Sequence, residues 1–339
     1  MTTPENDNLI SPPACFVSRR RFMQLLACLP LLPTGAGCRR QPAAPLRIAA
    51  HLWPGYEFMF FARQQGWLDE GQVTLVETPS ATSSIEMLTR GSVDGAALTL
   101  DEVLRTRAFG IPLTVVLVFN ISAGADMLLV HPEIKNLQEL AGCRIGVERG
   151  ALGALMLSKI LDLADLDKAA VEVVSLPVNQ HESAFTSRRV DAVITYEPVA
   201  GQLQQQGALR LFDSRALPDL IFDVLAISSD LLPRIKDALA HLAAVHFRAL
   251  DYYRRNTLDA SYRLAHRFGL RIDQVQAAFR GLKLPTLQEN IRLLSGSPEP
   301  LVSAADQLLD ILVEADLLLT RHPLIRLVTP DVLTGIRSR

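Results

Sequence analysis

Aromatic, hydroxyl and carboxylate residues recur where predicted strands end, and their types suit the binding of a small polar molecule. Trp53 and Tyr56 can stack on a planar or cationic group, although packing at a strand–helix corner explains them equally well. Ser80, Thr82 and Thr99 carry hydroxyls that can hydrogen-bond a ligand, and helix capping explains one of them. The other candidates can hold N–H groups or a positive charge: Asp101, Asp126, Tyr196, Glu197 and Asp223.

These candidates form no catalytic or metal-binding motif. The sequence has no Gly-x-Ser-x-Gly nucleophile motif, no Gly-x-x-x-x-Gly-Lys-Ser/Thr phosphate loop and no zinc-type His/Cys spacing. His51, His131 and His181 are isolated, which is typical of structural or surface histidines. Asp101 and Glu197 have the chemistry of general bases, but no nucleophile can be placed beside them. We therefore predict binding without catalysis, cofactor or metal ion.

The composition is that of a soluble globular protein. The chain has 339 residues, enough for two lobes, of which 21% are charged and 49% hydrophobic. Its net charge of −2 gives no electrostatic basis for nucleic-acid binding. No apolar run approaches the roughly 20 residues that a membrane-spanning helix needs. We expect membrane contact only through an anchor.

The N-terminus has the pattern of an export signal. Residues 18–22, Ser-Arg-Arg-Arg-Phe, resemble the twin-arginine motif, and a short apolar stretch follows. Small residues precede Cys38, as lipoprotein processing requires, but Gly35 replaces the usual large aliphatic residue. Acylation of Cys38 and plain cleavage nearby are both open, and the alternative for the arginines is a chance triplet before a buried helix. We predict a signal at 1–37 and a linker at 38–45.

From Leu46 onward, short apolar runs alternate with amphipathic stretches. This alternation predicts strands near 46–52, 73–77, 95–99 and 113–119, joined by helices, and is typical of a mostly parallel α/β sheet. The pattern begins again at Cys143, and residues 190–197 echo residues 93–101. Two similar lobes would place their strand-end loops around one shared cleft.

Two segments lie between the predicted halves, and a helical region follows them. Phe119 to Leu129 and Phe222 to Ser228 each join a polar cluster to a short strand, which indicates paired crossover strands at a hinge. Past Leu231 the pattern is helical, and Leu301 to Leu319 keeps helical spacing, so we expect this tail to pack on a lobe.

Six segments, in order, resemble the nitrate/sulfonate/taurine-type (NMT1/THI5-like) solute-binding proteins of ABC importers. The segments are 53–57, 79–82, 98–102, 124–126, 146–148 and 195–198. The resemblance implies a type II periplasmic-binding fold, with lobe 1 at 46–122 and 229–339 and lobe 2 at 123–228. It also implies a monomer outside the inner membrane, periplasmic or membrane-anchored, that delivers a small-molecule ligand to an ABC permease.

The predicted cleft differs from an anion site. Four carboxylates, Asp101, Asp126, Glu197 and Asp223, would be costly to bury against nitrate or a sulfonate. A ligand with N–H donors or positive charge suits them better, and the pyrimidine precursors of thiamine bound by related proteins are one such class. Two rival interpretations stay open: an enzyme on the same fold in cofactor-precursor metabolism, and a periplasmic sensory module. Those enzymes work in the cytosol, so the predicted export signal distinguishes an exported binding protein from the enzyme interpretation.

Overall fold

The computed structural model describes residues 44–149 and 152–336, in which eleven strands form two mixed sheets. The strands are β1 (Leu46–His51), β2 (Val73–Thr78), β3 (Gly95–Thr99), β4 (Leu113–Ser122), β5 (Asp126–Val130), β6 (Arg144–Val147), β7 (Glu172–Ser175), β8 (Ala192–Tyr196), β9 (Leu209–Asp213), β10 (Phe222–Ser228) and β11 (Leu282–Lys283). The first sheet has the order β11-β4-β10-β3-β1-β2, and the second has the order β7-β6-β8-β5-β9. The predicted two-lobe α/β architecture is confirmed.

The sheets are less parallel than expected. In the first sheet β1 pairs in parallel with β2 and β3, whereas β10 runs antiparallel to both β3 and β4. In the second sheet β6 pairs in parallel with β7 and β8, whereas β5 runs antiparallel to β8 and β9. The parallel part of each sheet is the part built by strand–helix–strand units. The antiparallel strands are those next to the crossings between sheets.

The chain crosses between the sheets at two places. It leaves the first sheet after β4 through residues 123–125, where Gly124 has φ +118°, a conformation that favours glycine. It returns between Asp213 and Phe222. The sequence boundary at 228 assigned β10 to lobe 2, but β10 pairs with β3 and β4 in the first sheet. Its wholly buried apolar residues suit a central strand there.

Eleven α-helices belong to the described residues. They are α1 (Glu57–Gln64), α2 (Ala81–Thr89), α3 (Leu100–Ala108), α4 (Gly153–Ala164), α5 (His181–Thr186), α6 (Val199–Gln205), α7 (Leu232–Arg255), α8 (Thr257–Phe268), α9 (Ile272–Arg280), α10 (Leu287–Leu294) and α11 (Pro300–Glu314). The predicted helical tail is confirmed: α7 packs on α1, α10 on β4 and α11 on α3. Leu301, Ala305, Leu308 and Leu312 form the buried face of α11.

In the ranges 44–149 and 152–336 the structure contains no helix that is both long and apolar enough to cross a bilayer. The predicted export signal, its arginines and Cys38 lie outside the described residues, as does most of the predicted linker.

Candidate ligand-binding site

A cavity lies between the two sheets. Strand ends and helix starts of both lobes line it, where "first lobe" means the first sheet with its helices and "second lobe" the second sheet with its helices. The lining residues are His51, Trp53, Ala81, Thr99, Glu102, Asp126, Glu148, Leu152, Gly153, Met156, His181, Ile194, Thr195, Tyr196 and Asp223. A cleft at the carboxyl ends of strands is the usual ligand position in α/β folds.

Five of the ten predicted binding residues line this cavity. Trp53 and Thr99 come from the first lobe, Asp126 and Tyr196 from the second, and Asp223 from the returning strand β10. Asp126 and Tyr196 are paired across neighbouring strands, which brings the carboxylate and the phenol to the same sheet edge. The sequence argument that strand ends converge therefore holds for these residues.

The other five predicted residues lie beside the cavity without lining it, and all five hydrogen-bond to other residues of the protein. Ser80 is the N-cap of α2, where its hydroxyl accepts the N–H of Ser83 at 3.3 Å. Asp101 accepts the Thr99 hydroxyl at 2.6 Å. Glu197 accepts the N–H of Gly201 at 3.0 Å within its own lobe. Their contact with a ligand stays a prediction.

Tyr56 is buried behind Trp53 and takes part in a chain of hydrogen bonds that fixes the indole. The Trp53 indole N–H donates to Asn120 Oδ1 at 2.9 Å, and Asn120 Nδ2 donates to Asp223 Oδ2 at 2.6 Å. The Tyr56 hydroxyl donates to Asp223 Oδ1 at 2.6 Å. Because all four side chains are buried, this network holds the Trp53 ring in one orientation at the cavity wall.

The two lobes touch through aromatic rings at the cavity. Trp53 of the first lobe meets Tyr196 of the second edge to face, with ring centroids 5.3 Å apart. His51, the last residue of β1, lies 5.6 Å from the same tyrosine ring. These ring contacts join the two lobes at the cavity.

Two glutamates, one from each lobe, also accept backbone hydrogen bonds from the opposite lobe across the cleft. Glu148 follows β6 in the second lobe, and its Oε1 accepts the N–H of Thr82 in the first turn of α2 at 2.9 Å. Glu102 lies in the first turn of α3 in the first lobe, and its Oε1 accepts the N–H of Leu152 before α4 at 3.2 Å. Thr82, predicted to hydrogen-bond a ligand, thus contributes its backbone N–H to the contact between the lobes.

Six buried polar atoms of the cavity lining have no hydrogen-bond partner among the described residues. They are His51 Nδ1, Asp126 Oδ2, Glu148 Oε2, His181 Nδ1, Thr195 Oγ1 and Tyr196 OH. Buried polar groups in folded proteins are nearly always paired, so a cluster of unpaired ones indicates a place for a polar ligand. The cluster combines acceptors with groups that can donate, which suits a ligand with several polar atoms.

Burial shifts the pKa of several residues that line the cavity. It raises the pKa of Asp126 to about 7, an effect that a bond with Ser122 reduces and the charge of Asp101 increases. Burial also raises the pKa of Glu102 and of Asp223 well above the usual range for carboxyls. It lowers the pKa of both His51 and His181 to about 4, so both imidazoles are neutral at physiological pH. No lysine or arginine is among the described residues that line the cavity.

Several lining residues were not predicted from the sequence: His51, Glu102, Glu148, Met156, His181 and Thr195. His51 and His181 were interpreted as structural or surface histidines, and both are in fact buried at the cavity. The available signal was position, because His51 ends β1, Glu148 follows β6 and His181 begins α5. A residue at a strand end is a site candidate even when it stands alone in the sequence.

The family model described as "NMT1/THI5 like" matches residues 53–257, more than half of the chain. The chain belongs to the NMT1/THI5-like family. Among curated proteins, this NMT1/THI5-like chain is similar to a provisionally named binding protein of Brucella abortus (strain 2308). The two are 26% identical over 136 residues, which is 39% of this chain and 43% of the relative, so the chain spans less than half the length of the curated relatives it matches.

Solved structures show the same fold. The alkanesulfonate-binding protein SsuA from Xanthomonas axonopodis pv. citri, bound to MOPS, has a TM-score of 0.71 and 20% identity, covering 85% of this NMT1/THI5-like chain and 99% of SsuA. The desulfurization enzyme DSZB has a TM-score of 0.62 and 18% identity, covering 86% of this chain and 98% of the enzyme. Binding proteins and an enzyme therefore share this architecture.

Proposed function

We propose that this protein is the solute-binding component of an ABC importer, which captures a small polar organic molecule between its lobes and delivers it to a permease. The cavity with six unpaired buried polar atoms, lined by both lobes, carries this proposal. Such a site binds most tightly when the lobes close, and closure gives a permease a surface by which to recognise the loaded protein. The binding proteins of the same fold support it. We expect a monomer without cofactor.

The ligand that fits this cavity is neutral or cationic and carries N–H donors. Four carboxyl side chains face the space, and no cationic side chain of the described lining residues balances them: Glu102, Asp126, Glu148 and Asp223. Trp53 and Tyr196 provide ring faces and edges for a planar or cationic group. SsuA is by name an alkanesulfonate-binding protein, but an anion here would lie beside carboxyl groups with no lysine or arginine among the described lining residues to pair with it. Aminopyrimidines and small amines are therefore the first classes to test.

A thermal-shift screen of the exported protein against aminopyrimidines, amines, sulfonates and nitrate tests this function. A ligand at a hundred times its Kd stabilises the folded protein by about 2.7 kcal/mol, so the melting temperature should rise with one of the first two classes. Titration calorimetry should then give one site per chain. Shifts only with sulfonates or nitrate would contradict the ligand class, and conversion of a ligand into product would favour an enzyme.

The enzyme alternative has one observation in its favour, since DSZB shares the fold. Among the described residues, no group of His, Cys, Asp and Glu is arranged to hold a metal ion. Cys143, the one cysteine of the described residues, directly precedes β6 and does not line the cavity. A sensory module would bind its ligand in the same cavity. Co-purification with a membrane permease, as against a membrane receptor, separates a transport role from a sensory one.

Export through the twin-arginine pathway is part of the proposal and rests on Arg19 and Arg20. Replacement of both by lysine is expected to hold the precursor in the cytoplasm, because that pathway requires the arginine pair. Fractionation with an antibody against the mature protein measures the distribution. Undiminished export in this variant, or in cells without the translocase, would contradict the pathway.

The anchor is a separate proposal that rests on Cys38. Cys38→Ser is expected to move the mature protein from the membrane fraction to the soluble periplasmic fraction, because a lipid chain supplies the membrane affinity. A periplasmic protein with intact Cys38 that is already soluble would instead indicate plain cleavage. Mass spectrometry of the mature N-terminus gives the same answer independently.

A further inference from the structure

The contact between Glu148 and α2 places a carboxylate where a helix most readily binds an anion. The first N–H groups of a helix have no partner inside the helix, and the helix dipole makes this end positive. Ser80 caps α2 from within the first lobe by accepting the N–H of Ser83. The N–H of Thr82 is left for another acceptor, and Glu148 of the second lobe accepts it at 2.9 Å.

Glu148 also lines the cavity. Its side chain is buried, with 5% of the residue exposed, and its second oxygen, Oε2, has no partner among the described residues. Ala81, the first residue of α2, lines the same space. The Glu148 carboxylate thus bonds to the N-terminus of α2, links the two lobes and lines the ligand space.

We propose that Glu148 is an internal anion that occupies the N-terminus of α2 and makes the site reject anionic ligands while accepting N–H groups through Oε2. The inference rests on the proposed binding function and deepens it by naming the residue that sets ligand charge. An external sulfonate or sulfate would have to displace Glu148 from Thr82 and would then lie beside it. A ligand with an N–H group instead gains a hydrogen bond to Oε2 without breaking the contact between the lobes.

Glu102 also accepts a hydrogen bond across the cleft, but its two oxygens are used differently from those of Glu148. Glu102 crosses the cleft in the opposite direction, from the first lobe to the backbone before α4. Its other oxygen accepts the N–H of Thr99 in its own lobe at 2.8 Å. Glu102 therefore has both oxygens engaged, whereas Glu148 keeps one free, so the ligand-directed role belongs to Glu148.

Binding of methanesulfonate and sulfate to Glu148→Ala and Glu148→Gln tests the proposal. We expect calorimetry at about pH 6, below the pKa of about 7 that burial gives Asp126, to show both variants binding these anions more tightly than the unmodified protein. The gain should be about tenfold or more for alanine, which removes charge and volume, and smaller for glutamine, which removes only charge. The glutamine variant has the native shape and decides the question if the alanine variant does not fold.

Glu289→Ala is the matched control. Glu289 accepts the N–H of Thr286 at the N-terminus of α10, outside the cavity, so this variant also removes a carboxylate from a helix N-terminus but leaves Glu148 in place. Anion affinity in Glu148→Gln no tighter than in the unmodified protein would overturn the proposal, and so would an equal gain in Glu289→Ala. The measurement needs no knowledge of the transported solute. A failed ligand screen would count against the binding function without changing this result.

Discussion

Binding of an N–H-bearing or cationic ligand is expected to weaken by on the order of 30-fold when the pH falls from about 8 to about 5.5. Asp126 lies in the cavity wall with Oδ2 unpaired, and burial raises its pKa to about 7. Such a ligand binds the ionised carboxylate better than the acid, so binding lowers this pKa and releases a proton. Affinity is therefore full above the pKa of the free protein and is lost as the pH falls through it, while an anionic ligand would show the opposite slope.

Calorimetry across this pH range, in buffers of different ionisation enthalpy, measures both affinity and proton release. His51 and His181 stay neutral throughout because their pKa values are about 4. Asp126→Asn should bind more weakly at high pH and have a nearly flat profile. Without ligand it should be more stable than the unmodified protein at about pH 8, by up to about 4 kcal/mol, since it buries no charge. A full slope in Asp126→Asn would assign the proton to Glu102 or Asp223 and contradict the role of Asp126.

The fold was largely predictable because the periodicity of hydrophobic residues indicates which segments form strands and which form helices. Buried strands such as Gly95–Thr99 and Ala192–Tyr196 read as short apolar runs, and the buried face of α11 keeps helical spacing. Strand direction and lobe membership were harder to read from the sequence. Phe222–Ser228 is apolar whether it runs parallel or antiparallel and whichever sheet it joins, so its place between β3 and β4 depends on long-range pairing that no local pattern encodes.

The site was predictable only where side-chain direction followed from strand position. Tyr196 was predicted because strand ends converge and Asp126 because it stands near the predicted hinge, and both line the cavity. Glu197, the next residue after β8, instead accepts the N–H of Gly201. Glu148 was missed because its importance comes from Thr82, 66 residues away in the chain. Asn120 was missed as well, since a buried amide inside a strand gives no sequence signal until Trp53 and Asp223 are placed on either side of it.

Gly55→Ala is expected to lower the free energy of unfolding by about 3 kcal/mol and to weaken ligand binding by about tenfold or more. A Cβ atom at Gly55 would lie 1.7 Å from Asn120 Oδ1 and 3.0 Å from the Trp53 indole nitrogen. Asn120 cannot move aside freely, because it is fully buried and bonded to both Trp53 and Asp223. The added methyl group must therefore break the network that orients the indole at the cavity wall.

Denaturant unfolding and indole fluorescence of Gly55→Ala, in a Trp67→Phe background that leaves Trp53 as the single tryptophan, measure both effects. Gly335→Ala is the matched control, since a Cβ atom there has no neighbour within 4 Å. A double-mutant cycle with Asn120→Ala gives the sharper test. Removing the amide removes the clash, so adding Gly55→Ala to Asn120→Ala should cost much less than it does alone. Equal costs in the two backgrounds would mean that Gly55 acts through the backbone and that contact with Asn120 does not explain the glycine.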